Sequence, residues 1–493
     1  MNDFEHRLRA AMHDAVDGAQ PPPNLAELVK RRNRRHRARV AVPPPPGPQR
    51  LARARARLLP AIAEGQGPAG QAARSRPRRA TRAKPGRRWP GWVPPLAAAA
   101  AVAAVIAGTL TVSSALRHPA VTAADGAIAY VFYQSSATVT PIRTATGTAL
   151  PPIKLGRCAY AVAITPDGKT AYVLTTRCPR AHHTRPPGFG PRTAPKINNH
   201  SGTWVVPIRT ATNTALPPIK MGGYGDAIAI TPDRKTAYVT NPQSGTVTPI
   251  RTDTNTALTP IKVWGRYPGA IAITPDGTTA YVTSEPDTVT PIRTATNTAL
   301  APITAGHSPE IIAVTPDGET AYVASEGAAS VASVSGTVTP IRTATNTALT
   351  PIKLGGHPNA MAITPDGKTA YVASEDAPVT PIRTATNTAL PPIKVGIEAR
   401  AIAITPDGKT AYVVANPGSD TVTPIRTATN TALTPITVEG SPEAIAITPD
   451  GKTAYVASDE GTVTPIRTAT NTALTPIKVG RLPFAIAITR PSA

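Results

Sequence analysis

Thr231–Gly265 reads TPDRKTAYVTNPQSGTVTPIRTDTNTALTPIKVWG, and the same order of short patterns returns from residue 125 to residue 493. Four patterns recur: AIAIT followed by Pro-Asp-Gly, then TAYVAS, TVTPIRT and ALTPIKVG. Each is a strand-length run of Val, Ile, Thr and Tyr bounded by turn residues. Pro-Asp-Gly is a turn with a mechanism. Proline presets φ, the aspartate bonds nearby backbone, and glycine relieves the exit. The Ala-Thr-Asn-Thr stretch supplies the next hairpin. About forty residues per copy thus predict a four-stranded antiparallel meander, the size of one propeller blade.

The AYV tyrosines count the copies: Tyr130, Tyr172, Tyr238, Tyr281, Tyr322, Tyr371, Tyr412 and Tyr455. The first copy begins at Asp125-Gly126, after its turn, and lacks an AIAIT strand of its own. Phe484–Thr489 is such a strand with no others following it. Pairing the two closes a ring and leaves no open sheet edge at the seam. The expected fold is all-β, a propeller of eight four-stranded antiparallel blades over residues 125–493. One feature strains this reading. Pro249 and its equivalent in every copy fall inside the third strand, where each removes a ladder donor. A bulge there would reconcile it.

The chain has 493 residues, 57 of them proline, and a formal charge of +23. Residues 1–88 hold 21 Lys/Arg against 6 acids, so most of the excess sits in an N-terminal arm. Phe4, Leu8, Met12 and Val16 predict a short helix there, and a second runs from Leu25 to about Arg35. The remaining Pro/Ala/Arg/Gly tract lacks an apolar face and should be disordered. Nucleic acid is disfavoured as a partner, because the arm has no interleaved aromatics and no binding motif. Residues 89–116 contain no charge. Their centre, LAAAAAVAAVIAGTLTVSSAL, is long enough to span a bilayer core of about 30 Å. Trp89 and Trp92 sit at the interface position, and Arg87 and Arg88 place the arm in the cytoplasm. The expectation is a single-pass signal anchor in the cytoplasmic membrane, a linker over 117–124, and the repeats outside the cell.

Tyr238-Val239-Thr240-Asn241 within TPDRKTAYVTN resembles the YVTN family of β-propeller repeats. Ala295–Thr298 (ATNT) and Val395-Gly396 are similar to that family as well. The resemblance runs from Asp125 onward, about three-quarters of the chain. It implies an extracytoplasmic propeller related to surface-layer-type and other cell-surface proteins. Members are usually read as seven-bladed, whereas eight copies stand here. Arg143 and its equivalents stand where the family often has an acidic residue, so a charge-based ligand does not carry over.

No phosphate loop, zinc helix or nucleophile elbow occurs. The aspartates of the first turn look like a ligand ring, yet turn geometry explains each one. The second copy is unusual, with Cys158, Cys178, His182, His183 and His200 near a long insert at about 177–203; another insert covers 328–335. Both cysteines fall on the same side of an antiparallel meander. Outside the membrane a disulfide anchoring the insert is the leading reading. A free pair and a Cys/His metal site stand as alternatives. No metal and no cofactor is expected. Arg143, Arg209, Arg251, Arg293, Arg342, Arg383, Arg426 and Arg467 should form a basic belt joined by Lys154 and its equivalents. Such a belt protects sheet edges or attracts anionic wall polymers or lipid headgroups.

Strand directions also assign two faces. Pro-Asp-Gly and Ala-Thr-Asn-Thr turns fall on one face and are nearly identical among copies. Loops on the other differ, including GRYPG, GHSPE, GHPN and GSPE. The variable face, with Arg266, Tyr267, His307, Glu310, His357, Asn359 and Glu443, is the expected recognition surface. The leading function is therefore a membrane-anchored extracellular binding or scaffold module for a protein, peptide or glycan. Alternatives are an enzyme in the central channel, of the quinone-dependent dehydrogenase or lyase type, and a transmembrane signalling protein. The channel enzyme is disfavoured because AIAIT strands offer mainly Ala and Ile.

Overall fold

The computed structural model describes residues 126–133, 136–178, 202–327, 336–396, 398–415 and 420–490. The arm, the apolar stretch 89–116, Asp125, most of the first insert with its three histidines, and the second insert lie outside the described residues. Among the described residues no helix is long and apolar enough to cross a membrane.

Eight antiparallel sheets make up this region. In the third, Ile228–Ile230 is innermost, followed outward by Thr236–Asn241 and Thr246–Arg251. The innermost strands of successive sheets contact one another around a ring. The last strand, Pro483–Ile488, pairs antiparallel with Ile128–Tyr133 of the first copy, with Val131 opposite Ile486. The chain's two ends therefore share one blade, which we number 1.

The outermost strand is not continuous. In blade 3 it consists of Thr256–Ala257 and Ile261–Lys262, and both pair with Thr246–Arg251. Leu258, Thr259 and Pro260 face only Pro249 and Thr248 between those pairings, which is a bulge. This disposes of the proline difficulty. The Pro249 carbonyl accepts the Leu258 N–H at 2.8 Å, so the Pro249 nitrogen also points outward, toward the bulge. No ladder bond is lost. The same Leu-to-Pro bond recurs in all eight blades, from Leu150 to Leu474.

Packing between blades explains the AIAI alternation. Ala227 and Ala229 share a cluster with Tyr238 of their own blade and with Ile271, Val282 and Ile292 of blade 4. The isoleucines on the opposite face pack backward, Ile228 joining the blade 2 cluster. Small residues on one face leave room for the tyrosine ring, and branched residues on the other fill against it. The seam is built alike: Ala444, Ala446 and Tyr455 pack with Ile486 and Val131.

Each tyrosine hydroxyl also crosses to the next blade. Tyr238 donates to Asn297 Oδ1 at 2.6 Å, and seven such bonds run around the ring, from Tyr130–Asn213 to Tyr412–Asn471. These asparagines are left-handed, with φ of 51° to 54°. At the seam Gly147 (φ 63°) replaces asparagine, and Tyr455 donates instead to the Thr144 carbonyl at 2.9 Å. A Cβ on Gly147 would meet only Ile477 Cδ1 at 3.8 Å, and asparagine tolerates this φ. Gly147→Asn is expected to complete the eighth staple and raise stability by about 1 kcal/mol. A denaturation midpoint that stays or falls would show that the seam does not need it.

Candidate functional site

The turn aspartates are ordinary turn residues. Asp233 accepts from the Thr231 hydroxyl at 2.6 Å and from the Lys235 N–H at 3.0 Å. Burial opposes its charge, but these bonds outweigh burial and hold the carboxyl below its usual range. Asp167, Asp276, Asp366 and Asp407 behave alike.

The variable face holds the chemistry, and a bulge organises it. In blade 5 Pro309 pairs with Ser325 and Ile311 with Ala324, leaving Glu310 opposite nothing. The same shift isolates Tyr160, Asn359, Arg400, Glu443 and Phe484 at the start of five other innermost strands. Asp226 and Gly269 occupy the equivalent position in blades 3 and 4, just before AIAIT. Bulges re-aim a side chain out of the ladder. Here they take one residue of six innermost strands out of the ladder at the variable-face end.

These residues link around the rim. Tyr160 donates to the Gly225 carbonyl and stacks on Tyr224, ring centroids 5.7 Å apart. A Cβ on Gly269 would lie 3.9 Å from Asp226 Oδ2. Asn359 Nδ2 donates to the Ala399 carbonyl at 3.3 Å, and Arg400 reaches Glu443 at 3.0 Å and Glu398 at 3.7 Å. Burial raises the Asp226 carboxyl to about 6. Burial, then the adjoining Glu326 carboxylate, holds Glu310 well above the carboxylate range; Glu285 and Asp226 add to it.

Of the residues expected on this face, Glu310, Asn359 and Glu443 are rim residues. Arg266, Tyr267, His307 and His357 stand in the surrounding loops. Arg266 exchanges two 2.7 Å backbone bonds with Glu285, and Tyr267 is 56% exposed. The His357 N–H donates to Asp376 at 3.0 Å. Sequence reasoning missed Tyr160, Asp226, Arg400 and Phe484. The expectation that AIAIT strands offer mainly Ala and Ile did not extend to the residue just before each of them. The signal was present: the residue before AIAIT differs inside an otherwise copied strand.

The sulfurs of Cys158 and Cys178 are bonded, with Cα atoms 4.9 Å apart. Cys158 opens the innermost strand of blade 2, and Cys178 follows its second strand at the same end. The basic belt divides in two. Arg251 and its seven equivalents are exposed at the uniform-face end of the third strand. Lys262 pairs opposite Thr246, at the other end of that strand. Five residues separate the two levels, roughly 17 Å along a strand. Among the described residues no group of three or more His, Cys, Asp and Glu could hold a metal ion.

No family model matches this chain, and no curated protein matches it. Solved structures do. Dihydro-heme d1 dehydrogenase NirN in complex with DHE superposes with a TM-score of 0.57 at 14% identity, over 73% of this chain and 74% of that one. Apo AztD from Citrobacter koseri gives 0.54 at 11% identity, over 74% and 98%. The chain is an eight-bladed β-propeller. Hydrazine synthase from Kuenenia stuttgartiensis also matches, at 22% identity over 63% of this propeller chain and 96% of that one, with a TM-score of 0.47. At identities this low the dehydrogenase and AztD superpositions speak for the propeller fold and not for a shared activity.

Proposed function

We propose that this propeller is a membrane-anchored, extracellular recognition module of YVTN-like repeats. Its variable face would bind a protein, peptide or glycan. The observation that carries the reading is the rim: eight equivalent positions hold Phe484, Tyr160, Asp226, Gly269, Glu310, Asn359, Arg400 and Glu443, in a chain that copies most of its other strand positions. A copied scaffold that varies one rim residue per blade is suited to binding an asymmetric ligand.

The uncharged stretch 89–116 supports the anchor. Gly126 and Arg490 meet on the uniform face, lining one cavity with Arg143 and Asn213. Leu116 precedes Gly126 by ten residues, a reach of roughly 35 Å at most. That supports a uniform face turned toward the membrane, with its arginine ring beside anionic headgroups at about 1 kcal/mol per basic residue.

Alanine blocks at Arg266–Tyr267, His307–Glu310 and His357–Asn359 are expected to abolish crosslinked partner capture while the protein still folds and unfolds cooperatively. Equivalent blocks in Pro-Asp-Gly or Ala-Thr-Asn-Thr turns should leave capture unchanged. The reverse pattern would refute recognition by this face.

A further inference from the structure

The rim treats its charges in two ways. Across blades 7 and 8 it is self-neutralised, because Arg400 meets Glu443 through both carboxylate oxygens, at 3.0 and 3.2 Å. Across blades 3 to 5 the described residues supply no counter-charge. Asp226 and Glu310 stand on the rim; Glu326, which hydrogen-bonds Glu310, and the Glu285 and Asp226 carboxylates all act on Glu310. Asp226 sits deep in surrounding protein with only partial solvent contact, and its carboxylate has no hydrogen-bond or ion-pair partner among the described residues. Arg266 is exposed and makes no ion pair among the described residues. An unpartnered carboxylate so enclosed is costly unless a cation is provided.

A second observation gives that cation a place. Between Asp226 and Glu310 the rim residue is Gly269, the one position of the eight without a side chain. A Cβ there would find only ordinary contacts, Thr283 Oγ1 at 3.6 Å and Asp226 Oδ2 at 3.9 Å, so the glycine is not demanded by crowding. It leaves a notch. Carboxylates stand on both sides of it, and the stacked pair Tyr160–Tyr224 lies on the Asp226 side. The acids come from three blades, and no three of them converge as metal ligands. Spread charge beside aromatic faces fits an organic cation, which is larger and more weakly hydrated than a metal ion.

We propose that the notch at Gly269, between Asp226 and Glu310, binds an alkylammonium or guanidinium group. This rests on the variable face being the recognition surface, and it names the chemistry recognised there. The group could be carried by a basic peptide side chain or by a free polyamine.

Calorimetric titration of the full-length chain with a penta-lysine peptide and, separately, with spermidine tests it. At least one is expected to bind at one site per chain, and which one binds identifies the source. Asp226→Asn should weaken binding about ten- to a hundredfold, and Gly269→Leu, which fills the notch, at least about tenfold. Glu375→Gln, an exposed acid on the same face but in blade 6, should change affinity less than about twofold. Without any ligand, Asp226→Asn should raise the thermal midpoint, because it removes an enclosed unpaired charge.

The proposal is overturned if neither probe binds at low ionic strength. It is equally overturned if Glu375→Gln weakens binding as much as Asp226→Asn, which would mean diffuse attraction. A lowered midpoint for Asp226→Asn would reveal an internal partner and also overturn it. Partner capture through the variable face would survive each of these outcomes, so recognition by that face would fail only on its own test.

Discussion

Tyr322→Ala is expected to lower stability by about 3–5 kcal/mol, the cost of removing a large aromatic from a packed core. Tyr322 is fully buried at the junction of blades 5 and 6, among Ala313, Met361 and Ile363. Its hydroxyl donates to Asn387 Oδ1 at 2.5 Å. Burial first, then the charge of Asp317, raises its phenol to about 12, so the donor persists through neutral pH. Tyr322→Phe keeps the ring and deletes only the hydroxyl, and should cost about 1 kcal/mol. Guanidinium denaturation midpoints of the two variants separate packing from hydrogen bonding. Equal losses would mean that the staple, not the ring, holds adjacent blades together. A loss below about 1 kcal/mol for the alanine variant would refute the junction as a main source of stability.

Breaking the disulfide should be nearly as costly. Cys158 and Cys178 are 20 positions apart, and cross-linking a loop of that length removes chain entropy worth about 3 kcal/mol from the unfolded state. The bond ties the open end of a hairpin at the point where the long insert departs on the variable face. Serine at both positions is expected to lower the denaturation midpoint of the oxidised protein and leave that of the reduced protein unchanged. Equal midpoints for wild type and variant under non-reducing conditions would show that the crosslink contributes nothing. Two free thiols in non-reduced peptides from native membrane would show that it does not form there.

The number of blades, the order of strands in each, the closing of blade 1 by residues 483–488 and the two unlike faces were all legible in the sequence. Each follows from local chemistry that repeats. Pro-Asp-Gly reverses the chain wherever it occurs, and a fixed order of strand-length runs makes a meander without help from distant residues. The proline of the third strand was legible only as a difficulty. Its solution depends on the outer strand bulging at Leu258–Pro260, a property of two strands together.

What the sequence could not reveal is which residues meet across blades. Tyr238 and Asn297 are 59 positions apart, and nothing local to either predicts their bond. AYV read by itself is only a strand, and ATNT only a turn. The candidate site is of the same kind. The sequence placed Glu310, Asn359 and Glu443 on the correct face but ranked them with loop residues such as His307. The one-residue bulge set them apart from the ladder, together with Tyr160 and Arg400, and Asp226 stands at the equivalent position. Burial first, then Glu326 in its own blade, raises the Glu310 carboxyl, and Glu285 and Asp226 in blades 4 and 3 add to it. A repeat determines its own fold from its own residues, because turns and side-chain alternation act over a few positions. Only closure of the ring decides which side chain of one blade faces which of the next, and so where charges collect.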